Sequence, residues 1–288
     1  MIASNTHSTT PLLLDAFLFY NELDLLKARL EYLGPTVDHF VISEANIDFA
    51  GREKAFLLNP IVLATLPFSE KIIYHQEMIN LRSLPWLIKR LRYRKRKNRL
   101  LWKIQDAQRN STLKALTQFQ PSDIVIFSDL DEFPSPSALQ EGRDLLANPK
   151  AMENLIAYSC DQTFFYYNLQ NAAPDDQFYG SIFCNLGTFR KLLPHKLRSI
   201  KDSLLHIANG GWHFSYFMDE EKILNKIKAV SDVENLSAYK NLSTSEIRNK
   251  IATKQDLYDR QRTLSDREQH HIPGPVIAAL KRYLPYCS

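Results

Sequence analysis

Cysteine is nearly absent: 288 residues hold only Cys160, Cys184 and Cys287. Three thiols so far apart make neither a disulfide framework nor a structural zinc site, and they suit a reducing compartment. Glycine is scarce too, at 8 residues, which argues against a nucleotide cradle of the Gly-rich kind. No apolar run approaches the roughly 20 residues needed to cross a bilayer. The stretch 12–20 is interrupted by Asp15 and has no Lys or Arg before it, so it reads as a strand and not as a signal segment. Hydrophobic residues at 44% and charged residues at 24% are ordinary for a globular protein, which excludes disorder, collagen and coiled coil.

Acid is missing from one stretch. Residues 82–103 carry ten Lys or Arg and no Asp or Glu, within a chain of 36 basic and 32 acidic residues. The remainder holds 26 basic against 32 acidic residues, so the net charge of +4 describes a mildly acidic body bearing one cationic strip.

What is present is alternation. An aromatic-rich strand over 15–20 precedes a helical period at Leu23, Leu26, Leu30 and Leu33 that Gly34-Pro35 ends. Strands at 39–44 and 72–75, a long helix over 98–118 and an almost wholly apolar strand at 124–128 follow. This order predicts an α/β sandwich with a mostly parallel central sheet and helices on both faces. Further on, strands are expected around 164–167 and 188–192, a polar loop over 170–180, and a turn at Gly210-Gly211 before another strand. Helices are expected over 219–230 and 243–259, and Pro273 and Pro275 open a last amphipathic segment. Neither a repeat nor a low-complexity linker divides the chain. Residues 1–10 read as a frayed leader, 11–240 as one domain and 241–288 as a C-terminal helical extension.

The strongest chemical signal is D-I-V-I-F-S-D-L-D-E-F-P-S-P, residues 123–136. An apolar strand runs into Asp129, Asp131 and Glu132, and Pro134 forbids its continuation. Residues two apart on a strand share a face, so Asp129 and Asp131 would converge at the carboxyl end of a buried strand, where open α/β sheets bind ligands. Two such carboxylates repel unless a cation lies between them, and Mn²⁺ or Mg²⁺ shared with phosphate oxygens is the natural partner. The plain alternative is a solvated acidic turn. Haloacid-dehalogenase phosphatases also end a strand in D-x-D, but they want Thr or Val where Phe133 stands, and a later Gly-Asp that occurs nowhere here. GT-A glycosyltransferases place D-x-D after roughly a hundred residues of nucleotide-binding structure, as this chain does.

Several segments in order then make the chain resemble glycosyltransferase family 17, the family of the bisecting β-1,4-N-acetylglucosaminyltransferase. They are F-L-F-Y-N-E-L-D-L-L-K-A-R-L (17–30), F-V-I-S-E-A-N (40–46), F-A-G-R-E-K (49–54), W-K-I-Q-D-A-Q-R-N (102–110), D-I-V-I-F-S-D-L-D-E-F-P (123–134) and G-G-W-H-F-S (210–215). The resemblance implies a GT-A (Rossmann-like) fold, an inverting transfer and a UDP-N-acetylglucosamine donor.

Asn21, Glu22 and Glu44 follow the first two strands and are candidates for the donor's uracil or ribose, with helix capping by Asn21 as the structural alternative. Arg52 and Lys54 after Gly51 are candidates for the diphosphate. Asp106 and Arg109 are helix neighbours, a surface ion pair unless the helix lies beside the metal strand, as the resemblance implies, so that Arg109 reaches the donor. His213 is expected to complete the metal shell with Asp129 and Asp131, and Trp212 either stacks on a sugar or fills the core. Inversion needs a base for the acceptor hydroxyl. Asp219, Glu220, Glu221 and Asp161 are the candidates, although the first three equally suit a helix start. Glu132 is expected to orient ligands.

The strip 81–103 has eight Lys or Arg in positions 89–99, interleaved with apolar residues. An anionic membrane surface is its expected partner, in preference to nucleic acid, which is not expected. The resulting expectation is a cytoplasmic enzyme, peripheral on the inner face of a membrane, acting on a glycan or lipid-linked acceptor. The alternatives are the phosphatase and a non-catalytic binder of anionic polymers.

Overall fold

The computed structural model describes residues 10–80, 94–173, 176–229, 239, 241–261, 264–265 and 272–287. Almost all of the expected leader and residues 81–93 of the basic strip lie outside the described residues.

One sheet holds nine strands. They are β1 (Leu13–Phe19), β2 (His39–Ala45), β3 (Ile72–Glu77), β4 (Ile124–Ser128), β5 (Glu132–Pro134), β6 (Ala157–Tyr166), β7 (Ala172–Ala173), β8 (Tyr179–Asn185) and β9 (Leu205–Ser215). Their order is β3-β2-β1-β4-β8-β6-β9-β5, with β7 paired to β6. The pairings give β1, β2, β3, β4, β6 and β9 one common direction, while β5, β7 and β8 oppose it. The mostly parallel α/β sandwich expected from the alternation is therefore the architecture found. Around the sheet lie α1 (Leu23–Leu33), α2 (Pro60–Ala64), α3 (Arg94–Ser111), α4 (Pro136–Leu146), α5 (Pro149–Glu153), α6 (Leu186–Leu192), α7 (Pro194–Ile200), α8 (Glu220–Ala229), α9 (Thr244–Ala252) and α10 (Gly274–Tyr283).

The near-continuous apolar strands follow from burial on both faces. Along β1, Leu13 and Phe17 enter a core shared with Leu26 and Leu30 of α1, Ala138 of α4 and Leu280 of α10. Leu14 and Ala16 enter the opposite core with Phe189 of α6 and Leu197 of α7. Asp15 falls on the first face, where Arg29 of α1 meets it through two bonds of 2.7 and 2.8 Å, both side chains fully buried. After 241 the chain still packs into the body: Ile247, Leu257 and Tyr258 join Tyr166, Tyr216 and Ile223 in a third cluster. All three cysteines are free and buried.

Four local expectations change. The segment 188–192 belongs to helix α6, because Pro121 and Asp123 carbonyls cap its first amides and Phe189 packs inward as a helical residue. The loop 170–180 contains β7 and the start of β8, and the helix expected over 243–259 ends at Ala252. Gly210 and Gly211 form no chain-reversing turn but lie inside β9, where its register against β6 shifts between Ile207 and Gly211 in a bulge. Gly211 has φ +130°, and a Cβ there would lie 2.0 Å from the Phe133 carbonyl oxygen, so the glycine is what lets β5 close on β9. Gly211→Ala is expected to cost about 1–3 kcal/mol of stability, read as a lowered denaturation midpoint; an unchanged midpoint would contradict this packing.

Candidate active site

Strand β4 stops at Ser128, and Asp129, Leu130 and Asp131 form a turn before β5. The two aspartates therefore do not share a strand face, as the spacing suggested; the turn brings them together. Its shape is fixed by Glu132, whose backbone N–H donates to the Asp129 carbonyl at 3.1 Å while its carboxylate accepts from the Asp129 N–H at 3.0 Å. Arg29 supports the turn from below, donating to Ser128 Oγ at 2.6 Å and to the Leu130 and Glu132 carbonyls at 3.3 and 2.5 Å. Pro134 lies in β5, at the sheet's edge, where its missing N–H is harmless.

β9 then delivers the histidine. His213 is in register with Glu132 of β5, and the Phe214 N–H donates to the Asp131 carbonyl at 2.8 Å. His213 Nε2 stands 3.4 Å from Asp131 Oδ1. Its ring is held between Phe164 and Phe178, with centroids 4.7 and 4.3 Å away. Nδ1 is buried without a partner, and Nε2 faces the Asp131 carboxylate, which can only accept.

Two cations face the acids. Arg198 of α7 reaches Glu132 through both terminal nitrogens at 2.7 and 2.8 Å, and Asp129 at 2.8 Å. Lys226 of α8 lies 2.7 Å from Glu22 and 3.2 Å from Asp131. Burial raises the pKa of both aspartates, but their neighbours outweigh it: Arg198 and Arg109 hold Asp129 below the usual carboxylate range, and Lys226, with the facing His213 ring, does so for Asp131. Both are carboxylates at neutral pH. Glu22 moves the other way, raised by burial against the opposing pull of Lys226.

These groups line a cavity of about 270 Å³ whose other walls include Leu18, Tyr20, Phe49, Gln105 and Tyr216. Among the described residues no set of three His, Cys, Asp or Glu side chains forms a ready-made metal cage. The donor chemistry still fits a divalent ion, because Mg²⁺ and Mn²⁺ are commonly held by one or two carboxylates with phosphate and water oxygens completing the shell. The 3.4 Å between Asp131 Oδ1 and His213 Nε2 is close to the roughly 3 Å that separates adjacent ligands of an octahedral ion.

The model of glycosyltransferase family 17 matches residues 3–262. The chain belongs to glycosyltransferase family 17. No curated protein matches it. As a glycosyltransferase it acts on a sugar donor and a glycan acceptor, and the phosphatase alternative is set aside. Among the described residues, no helix of this glycosyltransferase is long and apolar enough to cross a membrane.

The glycosyltransferase cavity gathers some of the expected residues and leaves out others. Glu22, Asp129, Asp131 and His213 line it. Arg109 lies within electrostatic reach of Asp129, with its Nε buried and unpartnered. Asn21 instead lines a small crevice with Phe217 and Tyr286, and it does not cap α1, whose N-cap is Glu22. Glu44 is fully buried and spent on structure: it accepts from Leu57 and Leu58 N–H at 2.8 and 3.2 Å, from the Tyr74 hydroxyl at 2.7 Å, and from Lys54. Arg52 pairs with Asp48 at 2.6 Å. Trp212 points to the opposite face of β9 from His213 and sits in the core, away from the cavity that His213 lines.

None of the expected bases lines the cavity. Asp161 is exposed at a bulge of β6. Asp219 accepts the Lys222 N–H at 2.8 Å as a helix-start residue, Glu220 pairs with Arg248 at 2.8 Å, and Glu221 is exposed. Glu132 is fully buried against Arg198 and holds the turn through the Asp129 N–H. Arg29, Arg198 and Lys226 are not legible in the sequence because their partners lie far along the chain; for Gln105 the one signal is its i, i+4 spacing from Arg109 on a shared helix face.

Proposed function

We propose that this glycosyltransferase is metal-dependent and inverting, and that it moves a sugar, N-acetylglucosamine by its family resemblance, from UDP to a hydroxyl of a glycan or lipid-linked acceptor. The observation that carries this reading is the convergence of Asp129, Asp131 and His213 on one cavity that Tyr20, Phe49 and Tyr216 also line. Asp129, Asp131 and His213 Nε2 would hold the ion. Once bound, Mn²⁺ or Mg²⁺ supplies positive charge for the departing diphosphate. Tyr20 and Phe49, with ring centroids 6.2 Å apart, offer flat faces to a pyrimidine. Gln105 Oε1, buried and without a partner, is placed to accept from a base N–H or a ribose hydroxyl. A sheet with its acidic turn just past a buried strand is in keeping with the GT-A arrangement. The cationic composition of 81–103 favours an acceptor presented at an anionic bilayer.

Thermal denaturation with nucleotide sugars tests the reading. UDP with Mn²⁺, each near a hundred times its dissociation constant, should raise the midpoint by about 5–10 °C. Chelation should abolish most of that gain. No stabilisation by UDP or any UDP-sugar in the presence of metal would overturn the proposal.

A further inference from the structure

Two protein cations already pair with the acidic turn, and they are held very differently. Arg198 is only 5% exposed, and both terminal nitrogens are committed: one to Glu132 and the Gly180 carbonyl, the other to Glu132 and Asp129. A planar fork bound on so many sides is fixed in place. Lys226 is a point charge on a flexible stem, 23% exposed, and it lines the cavity itself. Its contact with Glu22 is the shorter at 2.7 Å, and its contact with Asp131 the longer at 3.2 Å. A cation arriving at Asp131 therefore displaces Lys226 from Asp131 before it displaces it from Glu22.

We infer that Lys226 is an exchangeable counter-ion. It occupies Asp131 until a divalent ion does, then stays tethered to Glu22 and turns its ammonium to the donor's diphosphate. The inference rests on the metal and UDP reading of this cavity. It assigns a binding role to a residue outside the acidic turn, and a positioning role to Glu22, whose carboxylate keeps the lysine at the cavity mouth. It also has a signature that a structural lysine lacks, because the same ammonium opposes one ligand and assists the next.

The test measures two affinities on the full chain, Mn²⁺ alone by paramagnetic resonance and UDP in saturating Mn²⁺ by calorimetry, for wild type, Lys226→Gln and Lys226→Arg. Removing the competing charge should tighten Mn²⁺ binding to K226Q severalfold. Losing a charge-assisted contact should weaken UDP by roughly tenfold in the same variant. K226R should return both values toward wild type, which guards against a folding defect in K226Q. Shifts of the same sign, or no shift in either affinity, would overturn the exchange. A wild-type chain that binds neither Mn²⁺ nor UDP would instead refute the proposed function, and the role of Lys226 would fall with it.

Discussion

Asp131→Asn is expected to lower sugar transfer by on the order of 10²–10³-fold, the usual effect of removing one preorganised group that stabilises developing charge. The substitution keeps the side chain's shape and leaves the Asp131 carbonyl bonded to the Phe214 N–H. It removes the negative charge that lies 3.4 Å from His213 Nε2 and 3.2 Å from Lys226. Lys226 retains Glu22, so no charge is stranded and the denaturation midpoint should move little. Initial rates of UDP release, with the melt as control, separate a chemical defect from a folding one. Transfer within threefold of wild type at an intact fold would show that the turn does not serve the donor.

Arg29→Met is expected to be the most destabilising single change, at about 3–5 kcal/mol, because it leaves Asp15 as an unpaired charge in a fully buried setting. The loss should appear as a lower urea midpoint with an unchanged slope. Asp15→Leu combined with Arg29→Met removes both charges and should recover much of the stability, as buried ion pairs replaced by apolar groups often do. Transfer should not recover with it. The double variant still lacks the guanidinium that holds the Leu130 and Glu132 carbonyls, and hence the turn that presents Asp129 and Asp131. Full recovery of both properties would reduce Arg29 to a core filler.

The parts of this molecule that sequence revealed are those set by local pattern. Helix α1 was legible to the residue because its apolar period and Gly34-Pro35 bracket it, and β4 because five consecutive residues are apolar or small before the acids. The strand expected at 188–192 failed for the opposite reason. A short run with Thr188, Phe189 and Leu192 suits either state, and what decides it is capping by the Pro121 and Asp123 carbonyls, some sixty residues upstream. In the site, Asp129, Asp131 and His213 were readable as residue types that have few structural uses together. Glu44 looked the same in sequence, yet a lysine, a tyrosine and two backbone amides claim its carboxylate. Burial partners decide between such cases, and adjacent letters do not carry them.

The packing of α10 on α1 sets an order of events during synthesis. Arg282 and Tyr283 each hold Glu31 at 2.6 Å across a separation of about 250 residues, and Val276 and Leu280 close the same core as Leu26 and Leu30. At about 5–20 residues per second, a ribosome needs roughly 10–50 s to make the second partner after the first. For that interval the part of α1 that packs on α10 lacks that cover, while β1 and then α4 already close the rest of its apolar side.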